Sequence, residues 1–259
     1  MTTTDGAASP RPTDRPARSE KTLIFRVLAV LLIPLMNVLG KYILIDAHKV
    51  PKTGAFVLAP NHFSEIDPVV IGVAMWKVGR MPRYLAKASV FKNPIVGWFL
   101  RKSGQIPVDR AGSTRGNDPL AAARQVSDNG NAVVIYPEGS LTRDPDLWPM
   151  RGKTGAVRMA LAADIPLIPA AHWGTQQIMP RYGRKISVFP RKRVRIKFGD
   201  PVDLSAYRGR ALDSTELSEA TDLVMDAITV LVADLRDETP PAERWDPVKN
   251  NQKETGRFD

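Results

Sequence analysis

Residues 55–68 read Ala55-Phe56-Val57-Leu58-Ala59-Pro60-Asn61-His62-Phe63-Ser64-Glu65-Ile66-Asp67-Pro68, and their order sets the architecture. The apolar run over 55–59 predicts a buried strand, a polar loop follows it, and Pro68 opens a helical pattern over 69–78. A strand that passes through a polar loop into a helix is the repeating unit of α/β domains. The texture recurs downstream, with strands predicted over 83–86, 132–136, 167–171 and 194–198 and helices over 93–102, 119–128 and 153–163. The predicted fold class is therefore α/β, a single domain over residues 47–212 with a mixed central sheet flanked by helices. A chain of 259 residues has room for one such domain and short additions.

Those additions have their own signatures. Residues 1–20 are rich in Thr, Ala, Pro and Arg without apolar periodicity, which predicts a flexible tail. Residues 21–46 hold an apolar run, 27–45, preceded by Lys21 and Arg26 and interrupted by Pro34, Asn37 and Lys41. As one helix that run would reach roughly 28 Å, just short of a bilayer's hydrocarbon core. Pro34 removes a backbone donor and Lys41 must reach the headgroups, so the expectation is a bent, membrane-associated helical segment lying in one leaflet. At the other end, Asp213 and Glu216 form a capping-box pattern for an amphipathic helix within 213–239, with Leu217, Val224, Ile228, Leu231 and Leu235 along one face. Its other face is acidic and is expected to point away from any anionic membrane. Pro240 and Pro241 then end regular structure and start a polar tail, 240–259.

Composition narrows the chemistry. The absence of cysteine excludes disulfides, a thiol nucleophile and Cys-ligated metal, and His48, His62 and His172 are too scattered to predict a metal site. The chain carries a net charge of +10, concentrated in residues 21–212, where 29 Lys and Arg face 12 Asp and Glu. Such a body attracts nucleic acid, anionic membrane or a phosphorylated substrate. The densest cluster, residues 181–197, has eight basic residues and no acidic one. It lacks a regular set of stacking aromatics or a recognisable reading motif, so nucleic acid is not an expected partner. Residues 94–100, flanked by Lys92, Arg101 and Lys102, have the composition of either an interfacial anchor or a core helix.

Two strand-end loops carry candidate reactive groups. In the first, a carboxylate at Asp67 can fix the tautomer of His62 while the other ring nitrogen abstracts a proton, which makes His62 a candidate general base. Asp67 followed by Pro68 also reads as a helix N-cap with proline at the first helical position. The second loop, Tyr136-Pro137-Glu138-Gly139-Ser140-Leu141-Thr142-Arg143, follows the strand predicted from residue 132. There Gly139 permits close approach, Glu138 can accept from hydroxyls, and Ser140, Thr142 and Arg143 can donate to oxygens or phosphate. Between them, Gly104-Gln105-Ile106-Pro107-Val108-Asp109-Arg110 can present a guanidinium to a phosphate. His172 ends another strand and reads as a packing residue on Trp173, outside the catalytic set.

Taken in order over about residues 55–175, these segments resemble the glycerophospholipid acyltransferase family, typified by 1-acylglycerol-3-phosphate acyltransferase. The first family block falls at Asn61, His62, Ser64 and Asp67. The second falls at Gly104, Ile106, Val108, Asp109 and Arg110, the third at Tyr136, Pro137, Glu138, Gly139 and Ser140, and the fourth over Ile165 to Pro169. Lys87 and the segment Phe91-Lys92-Asn93-Pro94 look like the family's lead-in to its second block. The resemblance implies transfer of a fatty acyl group from a thioester, acyl-CoA or acyl-carrier protein, to the hydroxyl of a lysophospholipid acceptor. The acceptor implied is 1-acylglycerol-3-phosphate, and the setting is the cytoplasmic face of the plasma membrane, among membrane lipids. His62 and Asp67 would be catalytic; Asn61, Ser64, Lys87, Arg110, Glu138, Gly139, Ser140 and Arg143 would bind substrate, with no metal and no bound cofactor. One departure stands out: Leu141 occupies the place where the family commonly has arginine, and a basic residue returns only at Arg143. The contrasting expectation is a nucleic-acid-binding or membrane-surface scaffold protein that uses its basic face without catalysis.

Overall fold

The computed structural model describes residues 23–108, 119–254 and Gly256. Its strands are β1 (Gly40–Ile45), β2 (Phe56–Pro60), β3 (Pro82–Lys87), β4 (Ile106–Val108), β5 (Ala132–Val134), β6 (Leu167–Trp173) and β7 (Lys192–Phe198). They form one sheet in the order β1-β7-β6-β2-β5-β3-β4. Strands β2 to β6 are mutually parallel, β7 is antiparallel to β6, and β1 runs parallel to β7, so the sheet is mixed. The helices are α1 (Leu23–Leu39), α2 (Asp67–Lys77), α3 (Pro94–Lys102), α4 (Pro119–Asp128), α5 (Gly155–Ala162), α6 (Thr175–Ile178) and α7 (Ser214–Arg236).

The pleat of β2 explains why its sequence is an unbroken apolar run. Val57 and Ala59 join a core with α4, α5 and α7, whereas Phe56 and Leu58 join the core of α1 and α2 on the opposite face. A strand covered on both sides loses the polar alternation of a half-exposed one. On α7, Leu217, Val224, Ile228, Leu231 and Leu235 are all buried. Its N-terminus is closed by a capping box, with the Glu216 amide donating to Asp213 at 2.9 Å and the Asp213 amide to Glu216 at 3.0 Å. The acidic helix α7 and the apolar helix α1 therefore cover opposite faces of the sheet.

The apolar run over 27–45 does not form one helical segment, which corrects the expectation for residues 21–46. The helix ends at Leu39, and residues from Gly40 form β1, in register with β7 from Gly40↔Lys192 to Ile45↔Lys197. The sequence Tyr42-Ile43-Leu44-Ile45 suits a pleated strand, and pairing satisfies backbone groups that a helix would have satisfied internally. Lys41 points outward from this strand and is exposed. Helix α1 contains Pro34 and buries Phe25, Met36 and Leu39, while Leu23, Val30, Leu31 and Leu35 are more than half exposed. Among the described residues, no helix is long and apolar enough to cross a membrane. The short strand β4 also went unpredicted, being only the three residues Ile-Pro-Val.

The strands β6, β2 and β5 are adjacent, and their C-terminal ends open at one edge of the sheet. From β2 the chain enters α2 on one face, and from β5 it proceeds to α5 on the other. Connections that diverge to opposite faces leave a crevice at the strand ends, where α/β folds place their ligands.

Candidate active site

The loop from β2 to α2 is organised around the carboxylate of Asp67, which is fully buried. Its Oδ2 accepts hydrogen bonds from the amides of Phe63 and Ser64, both at 2.8 Å, and lies 3.0 Å from Nδ1 of His62. Its Oδ1 accepts the hydroxyl of Thr175 at 2.7 Å. The carboxylate thus turns back into the loop that precedes it. Asp67 is the first residue of α2 and not its side-chain cap, because the cap position is Ile66 and makes no side-chain hydrogen bond. Burial opposes ionisation of Asp67, but His172, His62 and the Ser64 amide outweigh it and hold the carboxyl below its ordinary value.

The imidazole of His62 is oriented from several sides. Asp67 holds Nδ1, Tyr136 stacks on the ring with centroids 4.1 Å apart, and the side chain is 16% exposed. With Nδ1 protonated toward the carboxylate, Nε2 is the atom left to take a proton. The main chain of His62 is clamped as well: its amide donates to Oε1 of Glu138 at 2.8 Å, and its carbonyl accepts the Thr142 amide at 2.7 Å. The second oxygen of Glu138 accepts the Met150 amide at 3.1 Å. Glu138 is fully buried, and burial pushes its carboxyl up to about 8 against these amide hydrogen bonds. Both of its oxygens are engaged inside the protein, tying the two strand-end loops together.

The other residues singled out in the sequence fall in different places. Asn61 is buried, its amide bridging the main chain of His172 in both directions at 2.9 and 3.2 Å. The Ser64 hydroxyl donates to the Met179 carbonyl at 2.7 Å. Gly139 adopts a positive φ of 70° beside Lys153, and the Ser140 hydroxyl donates to the Glu254 carbonyl at 3.1 Å. Arg143 is buried; its guanidinium donates to the Tyr182 hydroxyl and to the Gly256 carbonyl at 2.6 Å. Lys87 ends β3, but its side chain, like Asp109 and Arg110, lies outside the described residues.

Three contributors were not assigned to the site from sequence. His172 is fully buried, with Nε2 3.0 Å from the Asn61 carbonyl and 3.6 Å from Oδ2 of Asp67. Burial pushes its imidazole below the ordinary value, against the pull of Asp67. Thr175 reaches Asp67 because Gly174, at φ 114°, turns the chain where an added Cβ would stand 2.2 Å from the Arg193 carbonyl. Tyr136 stood in the third block only as its aromatic position; its buried hydroxyl has no hydrogen-bond partner among the described residues. Proximity of His172 to the end of β6 was a usable signal, whereas nothing local marks Thr175.

A cavity of about 460 Å³ opens between α1, α2 and α3, lined by Phe25, Leu28, Val69, Gly72, Phe99 and Leu100 among others. Its wall includes Pro68, next to Asp67, and Tyr84, whose hydroxyl donates to the Pro68 carbonyl at 2.6 Å. The apolar stretch 94–100 divides between two roles, with Phe99 and Leu100 facing this cavity and Trp98 56% exposed.

The model of the Acyltransferase family matches residues 43–173, half of the chain, including both strand-end loops that carry His62, Asp67 and Glu138. The chain belongs to that acyltransferase family. Among related proteins, it is 30% identical over 160 residues to the 1-acyl-sn-glycerol-3-phosphate acyltransferase of Bacillus subtilis, covering 61% of this chain and 71% of that one. It is 27% identical to a chloroplastic 1-acyl-sn-glycerol-3-phosphate acyltransferase of Brassica napus, covering 65% of this chain and 47% of the relative. The crystal structure of the 1-acyl-sn-glycerophosphate acyltransferase of Thermotoga maritima superposes with a TM-score of 0.60 at 22% identity, covering 84% of this chain and 81% of that one. This member of the acyltransferase family thus shares the fold of that structure.

Proposed function

We propose that the chain is a membrane-bound O-acyltransferase that moves a fatty acyl group from a thioester donor to the free hydroxyl of a lysophospholipid, with 1-acylglycerol-3-phosphate as acceptor and phosphatidic acid as product. The observation that carries this reading is the buried Asp67 carboxylate 3.0 Å from Nδ1 of His62. In the reaction Nε2 of His62 takes the proton of the acceptor hydroxyl as that oxygen attacks the thioester carbonyl. The tetrahedral oxyanion collapses, the C–S bond breaks, and the imidazolium returns the proton to the leaving thiolate. Asp67 stabilises the imidazolium in between, and Tyr136 keeps the ring in plane by stacking. General-base help of this kind supplies typically about 10²-fold to 10⁴-fold, and alignment of the two substrates supplies much of the rest.

Donor and lipid have natural places in this reading. The cavity beside Asp67 takes the acyl chain, since its lining is apolar and adjoins the catalytic loop. The exposed Val30, Leu31 and Leu35 of α1 and Trp98 of α3 enter one leaflet on the cytoplasmic face of the plasma membrane, while Arg184, Lys185 and Arg191 meet anionic headgroups. The donor is acyl-CoA or acyl-carrier protein. Purified protein in detergent, given palmitoyl-CoA and lysophosphatidic acid, releases free CoA and forms phosphatidic acid. Wild-type protein that releases no CoA with any lysophospholipid or donor, or a His62→Ala variant that retains full turnover, contradicts the proposal.

A further inference from the structure

The third sequence block holds no basic side chain free to meet a phosphate in its own loop. Leu141 is buried, and the guanidinium of Arg143 is turned to Tyr182 and Gly256. Arg181 reaches this loop, but its guanidinium donates to the Thr142 and Asp144 carbonyls at 2.8 and 2.6 Å. Two further cations, Arg151 and Lys153, lie farther along the same excursion. Lys153 donates its amide to the Pro137 carbonyl at 2.7 Å, and its side chain passes Gly139, where an added Cβ would lie 3.7 Å from Nζ. Arg151 stands beside it, and the two side chains are 48% and 42% exposed for Arg151 and Lys153 respectively.

These cations already hold an anion. Oε1 of Glu254 pairs with Nη2 of Arg151, and Oε2 lies 3.6 Å from Nζ of Lys153. The carbonyl of the same residue accepts the Ser140 hydroxyl at 3.1 Å. Arg151 also reaches Asp246 at 3.4 Å and donates its amide to the Trp245 carbonyl at 2.8 Å. The C-terminal segment, expected as a polar tail, therefore folds back over the third block through polar contacts. An arginine and a lysine sharing a carboxylate, beside a serine hydroxyl, offer a phosphate monoester the same positive charge and the same donors, since a guanidinium fork engages two oxygens of either group.

We propose that Arg151, Lys153 and Ser140 form an anion subsite for the phosphate of the acceptor, and that Glu254 fills it in the unliganded chain as an internal competitor. The identity of the ligand as an acceptor rests on the acyl-transfer reading; the subsite itself does not. A phosphate monoester entering the subsite displaces the Glu254 carboxylate from Arg151 and Lys153, and the Ser140 hydroxyl becomes available to it once the Glu254 main-chain carbonyl has also moved away. Acceptor affinity is then lowered by whatever holds Glu254 in place.

Titration calorimetry on the full chain with sn-glycerol 3-phosphate and with inorganic phosphate tests this without turnover. Glu254→Gln is expected to bind both about two- to five-fold more tightly than wild type, the range that exposed ion pairs span, and Glu254→Asp to stay near wild type. Adding Arg151→Ala and Lys153→Ala to Glu254→Gln is expected to abolish the gain. Binding unchanged in Glu254→Gln, or undiminished after loss of both cations in variants with unaltered circular dichroism, overturns the subsite. In the enzymatic arm, KM for lysophosphatidic acid falls in Glu254→Gln while KM for monoacylglycerol does not. Tighter phosphate binding with no change in that KM would make the ligand a free phosphate and overturn the acceptor assignment. A chain that binds phosphate as expected but transfers no acyl group refutes the proposed activity and leaves the subsite standing.

Discussion

Oδ2 of Asp67 lies 3.0 Å from Nδ1 of His62 while the same oxygen takes the amides of Phe63 and Ser64, so one buried carboxylate both shapes the loop and orients the base. Loop geometry and ring tautomer cannot be set independently in this protein. Replacing Asp67 by Asn separates them. The amide oxygen can still accept the two backbone amides, with its NH2 facing the Thr175 hydroxyl, but it no longer stabilises an imidazolium. Turnover is expected to fall about 10²-fold to 10⁴-fold with the fold retained. Steady-state kinetics beside a thermal melt check this; a variant within twofold of wild-type turnover contradicts it.

Glu138 predicts a pH dependence of stability. Its carboxyl is raised from an ordinary 4.5 to about 8, so the folded state holds a proton that the unfolded state has lost. The contribution is complete below about pH 4.5 and disappears as pH rises toward 8. Urea denaturation across that window is expected to show stability declining with pH from this group, and Glu138→Gln is expected to remove that part of the slope. The same variant leaves one of the amides of His62 and Met150 without an acceptor, at a cost of about 1–3 kcal/mol. An unchanged slope in the variant would contradict the assignment.

Gly72 lines the apolar cavity, and a Cβ there meets only the Tyr84 hydroxyl, at 3.6 Å, which is ordinary contact. Gly72→Leu should therefore fold while filling part of the cavity's 460 Å³. Each methylene excluded from an apolar site costs about 0.8 kcal/mol. In competition between palmitoyl-CoA and octanoyl-CoA, the variant is expected to shift toward octanoyl transfer by tenfold or more, counted roughly from two displaced methylenes. Identical product ratios from both proteins would show that the acyl chain lies elsewhere.

The exposed side chains of α1 predict vesicle binding. Val30 and Leu31 are 72% and 66% exposed and Leu35 is 56% exposed, on a helix whose other side is anchored by Met36 and Leu39. Serine at all three positions is expected to reduce co-flotation with anionic vesicles by about tenfold or more, since each side chain forfeits part of roughly 1.5–3 kcal/mol. Core packing, reported by the melting temperature, should not change. Equal flotation of the two proteins contradicts membrane insertion of this helix.

Local sequence carried much of this molecule. The apolar runs over 55–59, 132–136 and 167–171 betray strands covered on both faces, seen as β2, β5 and β6, and the Asp213 and Glu216 pattern marks the start of α7, because each signal is a short-range consequence of burial period or capping. The candidate pair His62 and Asp67 was legible for the same reason, with five positions and one loop between them. Partners distant in the chain were not. Residues 40–45 became a strand only because β7 offers a ladder some 150 positions away, and the apolar pattern suits helix or strand alike until that pairing exists. Thr175 and His172 reach Asp67 across 108 and 105 positions, and Glu254 reaches Arg151 across 103. No local periodicity records such contacts, because they follow from which strand ends become neighbours and from where the returning tail comes to rest.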